Sequence, residues 1–288
     1  KIKKNNLDFI IKVVSPKIDI KRFFQNEETE NVILDLVNLS KPNKLKNTLF
    51  VFPEGIIPNI YLQDINNYSY LFLENFSNKH KIILGIKSYE KEKIFNSFVV
   101  LDNNLNILAK YNKNKLVPFG EYLPFENILN KIGFKKITQG YKSFSSDKER
   151  KIININKISF IPLICYEIIY SGKINNENQN FDFIINISED GWFGDSIGPY
   201  QHFSHSIFRS IEEGKNLFRS ANSGISAHIN PKGQIISSIK STDKGVLEVK
   251  SFKKIEKTIF NIFGNNIFFC FLIFYISLIF FLRKKENK

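Results

Sequence analysis

The chain lacks methionine altogether, carries one tryptophan, and has only two cysteines and four histidines among its 288 residues. Each shortage narrows the reading. A chain that starts at Lys1 with no methionine is expected to be a fragment or a processed product. Cys165 lies in the globular part and Cys270 inside an apolar tail, so the two are not expected to meet and a disulfide framework is excluded. The histidines (His80, His202, His205, His228) stand in no pattern that singles one out. His202 and His205 share a helix face, but the further ligands that a zinc site needs are missing, so neither metal nor cofactor is expected. The net charge of +13 comes without runs of Lys and Arg interleaved with aromatics outside the C-terminus. It is read as a solvated lysine- and asparagine-rich face, and no nucleic-acid partner is expected.

What is present is enough apolar material for a core: 43% of residues are hydrophobic. Strands are expected at Leu7–Val14, Thr48–Phe52, Lys81–Ser88, Phe95–Leu101, Ile107–Tyr111, Ser159–Ile164, Phe181–Ile187, Ser226–Ile229 and Gly245–Val249. Helices are expected at Glu27–Leu39, Asp64–Ser77 and Tyr200–Gly214. Asp64 is placed to cap the second, Pro199 to begin the third and Gly214 to end it. Continuously apolar strands such as Phe160-Ile-Pro-Leu-Ile164 suit a sheet covered by helices, so the fold class is α/β. Polar loops fall at Ser143–Lys151 and Asn175–Asn180, within and beyond a loose region near 120–150.

One long apolar run exists, from Ile259 to Leu282, with no charged residue. Its roughly 24 residues at about 1.5 Å each exceed the ~30 Å hydrocarbon core of a bilayer, so 259–282 is expected to be a transmembrane helix and 283–288 a basic tail. Lys253, Lys254 and Lys257 flank one end and Arg283, Lys284, Lys285 and Lys288 the other. This near balance leaves open which side of the membrane the globular part occupies.

Three expected strands stop at a reactive side chain. Thr48-Leu-Phe-Val-Phe-Pro53 runs into Glu54, Ile107-Leu-Ala-Lys-Tyr-Asn112 into Lys113, and Ser159-Phe-Ile-Pro-Leu-Ile164 into Cys165. A carboxylate beside a thiol can take its proton as sulfur attacks an acyl carbonyl, and an ammonium group can stabilise the resulting oxyanion. A Cys–His arrangement is the competing way to activate the thiol.

The same three residues resemble the nitrilase, or carbon–nitrogen hydrolase, superfamily. Four stretches are similar in particular to apolipoprotein N-acyltransferases: Phe52-Pro-Glu-Gly-Ile-Ile-Pro58, Tyr111-Asn-Lys-Asn-Lys-Leu-Val-Pro-Phe-Gly-Glu-Tyr-Leu-Pro124, Ile164-Cys-Tyr-Glu167 and Asp190-Gly-Trp-Phe-Gly-Asp-Ser-Ile-Gly-Pro-Tyr-Gln-His202. The resemblance implies a four-layer αββα sandwich over 1–252, followed by the C-terminal transmembrane helix. Membrane helices that precede this domain in the family are absent from the chain. It implies transfer of a fatty acyl chain from a phospholipid donor to the amino group of the diacylglyceryl-cysteine of an apolipoprotein acceptor. Glu54 would be the general base, Lys113 the oxyanion stabiliser and Cys165 the acylated nucleophile. Glu121 would support the site, and Tyr166 and Glu167 stand beside the nucleophile. The domain would face the periplasm from the bacterial inner membrane, with the C-terminus in the cytoplasm. Phe52 and Glu189 depart from the family, which commonly has a larger aromatic and an amide there. The alternative is a membrane-tethered amidase or nitrilase acting on small amides, with water as the second nucleophile.

Overall fold

Alternate residues along a strand point to opposite faces, and here both faces are apolar. In β2 (Thr48–Val51), Leu49 and Val51 join one buried cluster while Phe50 joins another. The computed structural model describes residues 3–23, 29–125, 143–155, 158–172, 174–175 and 179–286. The start of the expected helix at Glu27, the centre of the loose region, the middle of the Asn175–Asn180 loop and the end of the basic tail lie outside these residues.

The first half of the chain gives β1 (Lys3–Ser15), α1 (Thr29–Ser40), β2, α2 (Ser69–Asn75), β3 (His80–Glu90), β4 (Lys93–Leu101) and β5 (Ile107–Asn112). The second gives β6 (Ile153–Ile155), β7 (Ile158–Ile164), β8 (Phe183–Glu189), α3 (Gly198–Glu213), β9 (Asn216–Asn222), β10 (Ser226–Ile229), β11 (Ile235–Ile239) and β12 (Gly245–Lys254). Among the described residues they form two six-stranded sheets, ordered β12-β1-β2-β3-β4-β5 and β11-β10-β9-β8-β7-β6. Both are mixed: β1, β2 and β3 are mutually parallel, as are β7, β8 and β9, with antiparallel strands outside them.

A shared core lies between the sheets, where Val13, Val51 and Phe98 of the first meet Phe160, Phe183 and Phe218 of the second. Val32, Ile33 and Leu36 of α1 and Phe72 of α2 cover the far side of the first sheet. Phe203 of α3 covers the far side of the second. Pro199 stands in the first turn of α3, and Gly214 closes it in the left-handed conformation at φ +63°, the roles read for both.

Local sequence was misleading in a few places. The expected helix Asp64–Ser77 is a 3-10 segment over Leu62–Tyr68 that continues as α2, and Asp64 lies inside it rather than capping it. Asn66 and Asn67 favour turns over regular helix, which accounts for the tighter winding. Three strands went unread: β6 is only three residues long, β11 is a half-exposed edge, and β9 buries Arg219, Ser220 and Asn222 where apolar residues would have announced it.

Beyond β12 the apolar run forms α4 (Ile259–Phe263) and α5 (Asn266–Glu286), broken at Gly264, whose φ is +55°. Residues Asn266–Arg283 have a mean hydropathy of 2.1 and are long and apolar enough to cross a membrane. The shorter α4 stays on the domain. Thr258 Oγ1 donates to the Glu212 carbonyl, Asn261 Nδ2 to Glu213 and Asn265 Nδ2 to the Ser171 carbonyl.

Candidate active site

Topology alone brings two of the three reactive strand ends together. β3 is parallel to β2, β4 reverses, and β5 reverses again, so β2 and β5 run the same way and release Glu54 and Lys113 at one end of the sheet. β4 starts at that end and inserts Asn96 between them. Its Nδ2 donates to Glu54 Oε1 (2.7 Å) and to Glu121 Oε1 (2.8 Å). Lys113 Nζ lies 3.4 Å from Glu54 Oε1 and 2.9 Å from Glu121 Oε2. The other Glu54 oxygen accepts from the backbone N–H of Glu189 (3.0 Å).

Cys165 enters from the second sheet, directly after β7. Its φ is +48°, a left-handed conformation that costs a non-glycine residue free energy and that clusters at functional sites. The bend turns the chain out of the sheet into the 3-10 turn Cys165–Ile169 and sets the thiol against the inter-sheet cavity. His202 Nε2 donates to the Cys165 carbonyl oxygen (3.2 Å), while Nδ1 lies against Asp190 Oδ1 (2.9 Å) and Arg219 Nη2 (3.1 Å). The one histidine near Cys165 thus meets its backbone, not its sulfur, which argues against a Cys–His dyad.

A cavity of about 320 Å³ opens above these groups. Glu54, Lys113, Glu121, Cys165 and Tyr166 all line it, and Phe23, Ile57, Val117, Phe144, Trp192 and Phe193 make its apolar walls. Glu167, expected beside the nucleophile, lies in the turn Cys165–Ile169 and is fully buried. Its carboxylate accepts from Tyr111 Oη (2.5 Å) and from the backbone N–H groups of Asn114 (2.9 Å), Lys115 (3.1 Å) and Ile164 (2.9 Å). Arg150 neutralises it at 3.1 Å. Glu167 therefore ties the loop that carries Lys113 to the strand that ends at Cys165.

Electrostatics fix the resting state. Burial pushes the Cys165 thiol well above its ordinary range, and the Glu54 carboxylate pushes it the same way against the pull of Lys113. Burial also opposes charge on Lys113, but the Glu121 and Glu54 carboxylates outweigh it and hold the amine well above the usual lysine range. At neutral pH the site holds a protonated thiol beside an ammonium group. Sulfur becomes nucleophilic only as a base removes its proton. Beneath them burial opposes charge on Asp190, yet Arg219 and His202 hold its carboxyl down at about 2.

Sequence reading missed Asn96, Arg22, His202 and Arg150. Asn96 carried the clearest signal, a carboxamide set between Ile94-Phe95 and the apolar run Phe98–Leu101. Gly85 in β3 was also silent: a Cβ there would stand 2.5 Å from the Glu54 Cα, on backbone that cannot yield. Gly85→Ala is expected to push Glu54 out of register. A displacement near 1 Å costs on the order of 100-fold in turnover, alongside about 1–3 kcal/mol of overpacking. Turnover and melting temperature of the variant check this; native turnover would mean that Gly85 does not place Glu54.

The match to known proteins agrees with this layout. The carbon-nitrogen hydrolase family model matches residues 18–251. The chain belongs to the carbon-nitrogen hydrolase family. Within that family it is 33% identical over 251 residues to the apolipoprotein N-acyltransferase of Rhizobium rhizogenes, covering 83% of this chain and 47% of that protein. It is 34% identical to the apolipoprotein N-acyltransferases of Wigglesworthia glossinidia brevipalpis and Rickettsia prowazekii, covering 96% of this chain and 56% and 57% of theirs. The chain thus spans about half the length of the curated relatives it matches. Among solved structures, the nitrilase-superfamily protein Nit3 of Saccharomyces cerevisiae superposes with a TM-score of 0.60 at 14% identity, covering 86% of this chain and 89% of that one. An amidase from Nesterenkonia sp. AN1 gives 0.58 at 11%, covering 85% and 92%. At such identities these two speak for the carbon-nitrogen hydrolase fold alone.

Proposed function

We propose that the chain is the catalytic part of an apolipoprotein N-acyltransferase. Residues 1–252 form a nitrilase-like αββα sandwich, the part of the 259–282 run that lies in α5 anchors it in the bacterial inner membrane, and 283–288 form a basic tail on the cytoplasmic side. The sandwich faces the periplasm. The observation that carries the reading is that Glu54, Lys113 and Cys165 line one cavity whose walls are mostly apolar. Such walls suit an acyl chain.

Glu54 takes the thiol proton as Cys165 Sγ attacks the ester carbonyl of a phospholipid. The new oxyanion is stabilised by the Lys113 ammonium, one donor of this kind being worth about 3–4 kcal/mol. Collapse breaks the ester C–O bond, the departing lysophospholipid alkoxide recovers the proton from Glu54, and a thioester remains on Cys165. The amino group of a diacylglyceryl-cysteine then attacks the thioester. An N–C bond forms, the C–S bond breaks, and the amine proton passes through Glu54 back to sulfur. Glu121 holds Lys113 in place, Glu167 fixes the two loops, and Tyr166 forms part of the wall. The chemistry needs no cofactor.

Mass spectrometry after incubation with phosphatidylethanolamine is expected to show one acyl adduct, on Cys165, which persists in water and is discharged by a diacylglyceryl-peptide. An adduct on Cys270, or rapid discharge by water alone, would reject acyl transfer; the second result would favour the small-amide hydrolase.

A further inference from the structure

Arg22 and Glu189 are among the most deeply buried charges in the chain, with side chains 0% and 1% exposed. They come from segments 167 residues apart and make a direct ion pair. Burying such a pair is a poor way to gain stability, since apolar replacements are often neutral or better. Its location is more informative than its strength.

Each member also holds the Glu54–Gly55 segment. The backbone N–H of Glu189 donates to Glu54 Oε2 (3.0 Å), and Arg22 Nη2 donates to the carbonyl of Gly55, the next residue (3.2 Å). The rest of the pair is anchored independently. The Glu189 carboxylate accepts from Gly191 N–H (2.9 Å) and Asn222 Nδ2 (2.9 Å), and Arg22 Nη1 donates to the Asp19 carbonyl (3.1 Å). Asn222 closes the circuit by donating to the Ile18 carbonyl (2.8 Å).

We propose that the Arg22–Glu189 ion pair is a positioning device for Glu54, fixing the plane of its carboxylate relative to the Cys165 thiol. The inference rests on the reading of Glu54 as the base. One hydrogen bond holds a carboxylate oxygen and the other holds the peptide that follows, so the pair restrains both the tip and the root of the side chain. Asn96 and Lys113 take Oε1. The carboxylate is then gripped at both oxygens and from its own backbone. Phe23, next to Arg22, stacks on Trp192 with ring centroids 5.5 Å apart, so the pair also borders the cavity wall. Base and wall separate in kinetics: a displaced base lowers kcat, a displaced wall raises KM.

The test uses the whole chain in phospholipid micelles. Arg22→Met/Glu189→Gln removes both charges together, and Arg22→Lys keeps the charge but loses the fork that serves Gly55 and Glu189 at once. For the double variant we expect kcat for acyl transfer to fall on the order of 10–100-fold, with KM for phospholipid within about twofold and the melting temperature within about 5 °C. Arg22→Lys is expected to lie between it and wild type. The second readout is the pH dependence of Cys165 alkylation by iodoacetamide. Glu54 opposes thiolate formation, so moving it away shifts the midpoint of that profile to lower pH. Alkylation needs no lipid, so this shift is read whether or not acyl transfer is the reaction. Either variant folded, with native kcat and a native alkylation midpoint, overturns the proposal; a loss confined to KM does so as well.

Discussion

Replacing Cys165 by alanine is expected to abolish acyl transfer and the acyl adduct while leaving the domain folded. The sulfur has no substitute. Cys270 lies on the exposed terminal helix α5, and among the described residues no other free cysteine exists. The structural cost is small, because the change removes a single sulfur atom from a buried side chain that already lines a cavity. The backbone at φ +48° is no harder for alanine than for cysteine. Circular dichroism and the melting temperature should therefore stay close to wild type while turnover falls to background. Undiminished transfer would remove Cys165 from the mechanism.

Lys113→Met is expected to be nearly as damaging, and to stability as well as to rate. The side chain is 1% exposed and stands between two carboxylates, those of Glu54 and Glu121. Methionine matches much of the aliphatic stem but leaves both acids without their shared cation. Removing one partner of a buried ion pair commonly costs about 3–5 kcal/mol. The loss of the oxyanion donor adds a decrease on the order of 10²–10³ in kcat. The two effects separate by measurement: thermal unfolding reads the first, and single-turnover acylation of the folded fraction reads the second. A variant that is destabilised but acylates at the native rate would leave Lys113 a structural role only.

Much of this site was legible in the sequence because strands end where apolar runs end. Glu54, Lys113 and Cys165 each follow such a run directly, and the sheets deliver all three to one cavity. The groups that orient them were not legible. Asn96 reaches Glu54 across 42 residues and Arg22 reaches Glu189 across 167, and no local pattern records such pairings. β9 escaped notice for a related reason. Its Arg219 is fully buried but satisfied by Asp190 and Asn186, so a central strand carries a charge that reads as surface. His202 looked like an ordinary polar helix position, and only α3 packing over the Cys165–Ile169 turn gives it a task.

The short helix α4 is more than a spacer. It is stapled to the end of α3, while Arg209 of α3 donates to the Ile168 and Ile169 carbonyls of the turn that carries the thiol. With α5 embedded in a bilayer as proposed, the catalytic body would ride on a stiff bracket instead of a swinging leash. The height and tilt of its mouth above the lipid heads would then be set once, by folding, and a long flexible insertion at Gly264 would trade that fixed docking angle for a search.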